Sequence, residues 1–250
     1  MELDSTFTAS QKSIGIIKCW IGKFADGRAA VQKAMEMTQT PAGKAIQQGA
    51  LARTWLYEGN LEEAMAAFDR AVQICTESGL PRRAAFYHLG RTRVSYEMGE
   101  LDQAEAALAD MRRLLESPEI VPYYRELYGQ FALYWDALIS AGRGDFDAAL
   151  SAAEKHETKL KARQDPSSVE AHHGLLGLIS TKRGEHEEAI AHFQQADDED
   201  PFVLYHWATA ESGAGSADKA ADLFEKAASW NEDTWSYAFV RSKAMDAIGE

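Results

Sequence analysis

Residues 171–201 read AHHGLLGLISTKRGEHEEAIAHFQQADDEDP. Gly184 divides this stretch. Leu176 and Gly177 precede it by eight and seven residues, Ala189, Phe193 and Ala196 follow at five, nine and twelve, and Pro201 closes the stretch at seventeen. A glycine tolerates positive φ at little cost, so Gly184 can end one helix and let another begin. Small residues on both sides of that turn let the two helices approach closely. The aromatic at plus nine is then free to fill space against a neighbouring pair.

The same arithmetic runs outward along the chain. A glycine followed five residues later by an alanine recurs as Gly59/Ala64, Gly99/Ala104, Gly144/Ala149, Gly184/Ala189 and Gly215/Ala220, at intervals of 40, 45, 40 and 31 residues. The copy at Gly59 has Ala52 and Trp55 before the turn and Phe68 and Ala71 after it. The copy at Gly215 has Trp207, Ala208, Phe224 and Ala227. The copies at Gly99 and Gly144 are degenerate. Thr92 stands at a small-residue place, Leu108 and Ala153 replace the large aromatic, and Met111 and His156 replace the last alanine.

These residues resemble the tetratricopeptide repeat, over about residues 42–230. The resemblance implies an all-α fold, an α-α superhelix: a right-handed solenoid of helix-turn-helix units. One such unit cannot bury its apolar face alone, so stacking of neighbours makes the core. Standard units are about 34 residues long. The extra residues here fall between units, at 74–83, 115–124 and 161–168, with Pro81, Pro118, Pro122 and Pro166. They read as lengthened helix ends plus loops, so residues 1–250 are expected to form one solenoid of about five repeats. Residues 9–38 are expected to form a degenerate first unit, two helices broken at Asp26-Gly27. Glu2-Leu3-Asp4 reads like the last turn of a preceding repeat in a longer protein. Residues 233–248 read as a final capping helix, with Tyr237, Val240, Ala244 and Ile248 at helical spacing. Asn60 and Asp145, each directly after a turn glycine, are expected to cap the following helix.

Composition agrees with helix. The chain has 250 residues and only six prolines, and internal proline costs a helix about 3 kcal/mol. The net charge is −13. Residues 1–57 carry seven Lys/Arg against four Asp/Glu, and the remainder carries 19 against 35. So acidic a body repels phosphate backbones, which argues against nucleic acid as ligand. Cys19 and Cys75 lie in apolar helical patterns and read as buried thiols of a reducing compartment. No stretch reaches the ~20 apolar residues that span a bilayer. The N-terminus MELDSTFT lacks the basic and apolar regions of a signal peptide. The expected location is cytoplasmic.

No motif for chemistry stands out. His172 and His173 are adjacent and point about 100° apart on a helix. HEEAIAH (186–192) has Ile190 where a zinc protease motif needs histidine. GAGSADKA (213–220) lacks the spacing of a phosphate loop. Arg143-Gly144-Asp145 falls on a repeat turn, and Asp197 to Asp200 lacks the alternating ligands of a calcium loop. Neither GxSxG nor a motif-like cysteine occurs. The reading is a non-enzyme with no cofactor and no metal.

The resemblance implies that the first helix of each unit lines an inner groove. Positions ten, six and three before each turn glycine share one face there. They are Gly49, Arg53 and Leu56; Leu89, Arg93 and Tyr96; Tyr134, Leu138 and Ala141; Gly174, Leu178 and Thr181; Tyr205, Thr209 and Ser212. Tyr57 and Phe86 lie beside them. Tyrosine and arginine dominate protein-interface energetics, so Arg53, Tyr57, Phe86, Arg93, Tyr96, Tyr134 and Tyr205 are the candidate partner-binding residues; some of the face can equally fill the core. Repeat proteins that clamp the C-terminal carboxylate of heat-shock chaperones carry lysine and then asparagine at the first two of these positions. Gly49 with Arg53, and Leu89 with Arg93, do not match that clamp.

The expected function is a protein-protein interaction scaffold that binds a peptide or partner protein through this groove. Alternatives are a self-assembling structural repeat protein, in which Trp20, Trp230 and Trp235 extend stacking into a homo-oligomer, or the regulatory interaction region of a larger bacterial signalling protein.

Overall fold

The computed structural model describes residues 5–164 and 167–249. Glu2-Leu3-Asp4 and Pro166 therefore lie outside the described residues. Those described form thirteen helices and no strand. Six antiparallel-type pairs follow in order: α1 (Ser5–Trp20) with α2 (Phe24–Glu36), α3 (Pro41–Glu58) with α4 (Leu61–Glu77), α5 (Pro81–Glu97) with α6 (Leu101–Leu115), α7 (Pro122–Gly142) with α8 (Phe146–Ala162), α9 (Ser168–Arg183) with α10 (His186–Phe193), and α11 (Pro201–Gly213) with α12 (Ala217–Ala228). A last helix, α13, spans Trp235–Ile248. This is an all-α helical repeat fold.

One local device makes every pair. Gly22, Gly59, Gly99, Gly144, Gly184 and Gly215 all have φ between 78° and 84°, the left-handed region that a side chain disfavours. At each, the amide after the glycine donates to a carbonyl five residues back: Lys23 to Lys18, Asn60 to Trp55, Glu100 to Ser95, Asp145 to Ser140, Glu185 to Ser180 and Ser216 to Glu211. That bond satisfies a helix-end carbonyl otherwise left without an intrahelical partner. Asn60 and Asp145 then start the next helix, their side chains accepting from the Glu63 and Ala148 amides at 3.1 Å. Pro41, Pro81, Pro122 and Pro201 each open a helix, where the missing N–H removes no bond.

The first pair corrects the sequence reading. Its break lies at Ile21–Lys23, and Asp26-Gly27 is inside α2. Gly22 is the turn glycine, with Gly15 seven residues before it and Gly27, Val31 and Ala34 at plus five, nine and twelve. This is a sixth copy of the pattern, with glycine in place of alanine at plus five. The replacement reflects contact: a Cβ on Gly27 would stand 2.2 Å from Cys19 Sγ and 2.6 Å from the Gly15 carbonyl oxygen. Here α1 and α2 touch backbone to backbone.

Elsewhere the small positions are sealed in. Ala52, Ala64, Ala137, Ala149, Ala189 and Ala208 are all buried. The plus-nine aromatics fill the spaces beside them. Phe193 lies over Gly177, where an added Cβ would meet its ring at 2.7 Å. Phe68 reaches the next pair and lies over Gly90 at the same distance. Burying one such ring contributes about 1.5–3 kcal/mol. The degenerate copies keep the packing by other means. Thr92 is buried, and its hydroxyl donates to the His88 carbonyl at 2.9 Å, so the polar atom is satisfied within the helix. His156 is buried edge-on to Tyr134, ring centres 5.8 Å apart. Both cysteines are buried thiols outside any disulfide, and burial pushes the Cys75 thiol up to about 11.

The helices form two compact units. The first takes the described residues up to Arg125 together with Asp233–Phe239. The second takes Glu126–Glu232 together with the described residues from Val240 on. In the second unit Ala244 packs with Leu204, Ala227 and Ala228, and Met245 and Ile248 cover the same cluster.

Candidate protein-binding face

In the first unit α3 and α5 present one lateral face. Gly49 of α3 accommodates the Tyr87 ring of α5, to which an added Cβ would be 2.7 Å distant. That close approach sets Arg53 and Tyr57, one turn apart on α3, beside Phe86 and Arg93, two turns apart on α5. Phe68 of α4 backs them, its ring centre 6.4 Å from that of Tyr87.

This face holds a piece of the chain itself. Asp233 lies at its centre: Arg53 Nη2 is 2.7 Å from Asp233 Oδ1, and the Tyr57 hydroxyl donates to the same oxygen at 2.6 Å. Burial pushes the Tyr57 phenol well above the ordinary tyrosine range. It therefore keeps its proton and acts as donor. Three aromatics follow at alternate positions. Trp235 lies 4.9 Å from the Arg53 guanidinium, and its ring centre is 6.1 Å from Phe68 and 6.3 Å from Phe86. Tyr237 meets Tyr57 edge-on at 5.9 Å. Phe239 lies under the Arg93 guanidinium at 3.9 Å. Thr234 shapes the segment: its hydroxyl accepts from the Tyr237 amide at 3.0 Å and caps α13.

Of the seven residues singled out in the sequence, Arg53, Tyr57, Phe86 and Arg93 converge on this one segment. Tyr96 lies on α5, three residues beyond Arg93 and half-buried. Tyr134 and Tyr205 belong to the second unit. Tyr134 packs on Trp135 and His156, and Tyr205 packs on Phe224 and His206. The sequence reading missed Asp233, Trp235 and Phe239 as members of the site. Their signal was available: a carboxylate followed by three aromatics at alternate places, of which the apolar spacing of the helix uses only Tyr237.

The arrangement suits recognition of polypeptide. Tyr57, which is buried, and Arg53, which is largely so, receive a carboxylate, and two guanidiniums stack on aromatic faces. No nucleophile with an adjacent base forms part of it. Among the described residues no group of three or more His, Cys, Asp or Glu is placed to hold a metal. The Nδ1 atoms of His173 and His192 do lie 3.0 Å apart, as a two-member pair. Nor is any described helix long and apolar enough to cross a membrane.

Comparison with known proteins agrees with this architecture. Residues 173–202 match a family model described as tetratricopeptide repeat. The chain is 25% identical to the photosystem I assembly protein Ycf3 of Synechococcus sp. (strain CC9902), a similarity covering 55% of this chain and 79% of that one. Among solved structures it resembles aspartyl phosphate phosphatase F from Bacillus subtilis, with a TM-score of 0.68 at 14% identity over 91% of this chain. It also resembles a signal-transduction ATPase with a tetratricopeptide repeat sensor from Pyrococcus horikoshii, with a TM-score of 0.55 at 17% identity over 96% of this chain. The chain spans 60% and 42% of those two proteins, and at such identities the likeness is one of fold. Six turn glycines in one register, a tetratricopeptide repeat matched at residues 173–202 and two similar solved folds lead to the same statement: the chain has an all-α helical repeat fold similar to that of tetratricopeptide-repeat proteins.

Proposed function

We propose that the chain is a non-catalytic protein-interaction scaffold, and that the α3–α5 face of its first unit holds a peptide or partner segment. One observation carries this reading. The face already holds a stretch of polypeptide, through a carboxylate on Arg53 and Tyr57 and through aromatics on Arg53 and Arg93. Arginine and tyrosine are the residue types that anchor interfaces. The similarity to a photosystem I assembly protein fits a scaffold that holds polypeptides while a complex is built.

The test is capture of partners from a lysate with the wild-type chain and with a variant carrying alanine at Arg53, Tyr57, Arg93 and Tyr96. Circular dichroism checks the fold of each. A partner bound by wild type and lost with the variant supports the reading. A partner retained by both removes this face from the interaction. Because Arg53 and Tyr57 also hold residues of the chain itself, the exposed Phe86→Ala provides a milder second probe.

A second reading, association of two copies, has its own observation. Phe7, Ile14, Ile17 and Ile21 of the N-terminal region are each about half exposed. The first three lie at helical spacing on α1, and Ile21 follows one turn later. Sedimentation of wild type and Ile17→Glu tests it: a dimer in wild type that the variant loses supports self-association, and a wild-type monomer at every concentration excludes it.

A further inference from the structure

The segment on the α3–α5 face has the chemistry of a ligand. Its sequence is Asp233-Thr234-Trp235-Ser236-Tyr237-Ala238-Phe239. Arg53 and Arg93 hold the same place in successive repeats, six residues before Gly59 and Gly99. Each stacks on one aromatic of the segment, Trp235 for Arg53 and Phe239 for Arg93. Those aromatics are four residues apart on α13, one helical turn and about 6 Å along its axis. Two repeat-equivalent arginines thus meet a helical segment in register with its own turn. The end of a repeat array needs a cover that is apolar inside and polar outside. A carboxylate seated on an Arg-Tyr pair exceeds that need.

The charge also sets a rule for any replacement. The Arg53 side chain is 11% exposed, and its anion Asp233 is 34% exposed. A largely buried guanidinium stripped of its anion is strongly disfavoured. An occupant that covers Arg53 as residues 233–239 do must therefore supply a negative group at the same point, and the Tyr57 hydroxyl is placed to donate to it.

We propose that this face recognises a helical segment of a protein partner that carries a carboxylate followed by aromatic residues two and six positions later, and that Asp233–Phe239 is the tethered occupant it displaces. The proposal rests on the partner-binding reading above and specifies the partner's chemistry. A tethered competitor acts at high effective concentration. It lowers apparent affinity for the external segment by the fraction of time the face is occupied.

The probe is a fluorescein-labelled peptide of residues 231–242, titrated against the full-length chain by fluorescence anisotropy. Wild type is compared with Asp233→Lys/Trp235→Ala, which vacates the face, and with the milder Asp233→Ala. Circular dichroism confirms folding. The vacated chain is expected to bind the peptide at least tenfold more tightly than wild type, with Asp233→Ala between them. Changing the peptide's own aspartate to lysine, or adding Arg93→Ala to the vacated chain, is expected to cost that gain. Equal binding by wild type and both folded variants overturns the proposal. So does a gain that survives Arg93→Ala, which would mark generic apolar adhesion. Light scattering that shows two copies exchanging residues 233–239 also overturns it, since the occupant is then a second copy. If the peptide fails while a captured partner still depends on Arg53 and Tyr57, the motif is wrong and the scaffold reading stands. If the peptide binds as expected but no partner depends on the face, the motif stands and the scaffold reading falls.

Discussion

The Tyr57 hydroxyl donates a 2.6 Å hydrogen bond to Asp233, a residue 176 positions further along the chain. The same carboxylate oxygen lies 2.7 Å from Arg53. A hydrogen bond to a charged group contributes about 1.5–3 kcal/mol when buried, and less where water can substitute. Asp233 is one-third exposed. Tyr57→Phe is therefore expected to lower stability by about 1 kcal/mol and Asp233→Ala by about 2 kcal/mol. The double variant should fall short of their sum, because both changes remove one shared bond. Thermal unfolding of the four proteins measures the coupling. Strict additivity would mean that the bond contributes nothing.

Two glycine-to-alanine changes should move stability in opposite directions. On Gly27 the new methyl meets Cys19 Sγ and the Gly15 carbonyl, and backbone cannot step aside. A loss of about 2 kcal/mol is expected, as for overpacked sites. On Gly129, within α7, nothing lies within 4 Å of an added Cβ. Alanine there should gain about 0.5–1 kcal/mol through helix propensity. Urea titrations of the two variants check the signs.

Acid should loosen the fold before it reaches the carboxylates. Burial, aided by Arg91, pushes the buried His88 down to about 4. Burial, aided by His172, does the same to His156. A histidine with a depressed folded pKa is neutral in both states at pH 7. Below about 6.5 the unfolded chain takes up protons that the folded chain refuses. Stability is thus full above pH 6.5 and declines as pH falls toward 4, by on the order of 2–3 kcal/mol per histidine. Replacing His156 with glutamine should flatten that part of the curve by about half. Melting temperatures measured between pH 7.5 and 4 test this.

Phe68 joins the core to the segment. Its ring lies over Gly90 and packs beside Tyr87 and Trp235. Phe68→Ala should lower stability by about 3–4 kcal/mol. It should also raise amide exchange of residues 235–239 more than that of α9 and α10, which belong to the second unit. Equal increases in both regions would mean that the segment has no special dependence on Phe68.

Much of this fold is written locally. A turn glycine needs positive φ, and a small residue seven before and five after it needs only helix geometry, so five copies of the unit are visible in the residues alone. The sixth hid because Gly27 and Val31 replace the usual alanine and aromatic, although Gly15, Gly22, Gly27 and Ala34 keep the count. Helical periodicity likewise put Arg53 and Tyr57 on one face of α3, and Phe86 and Arg93 on one face of α5. It also included Tyr134 and Tyr205, which the tertiary structure places in the second unit.

The sequence by itself determined the helices, their turns and the pairing of neighbours, because each depends on contacts a few residues apart. The last helix was legible as a helix, from the spacing of Tyr237, Val240, Ala244 and Ile248. Only the tertiary structure decided that Asp233 would meet Arg53 and Tyr57. That choice rests on burial and charge compensation between groups nearly two hundred residues apart, and no period in the sequence encodes such a pairing.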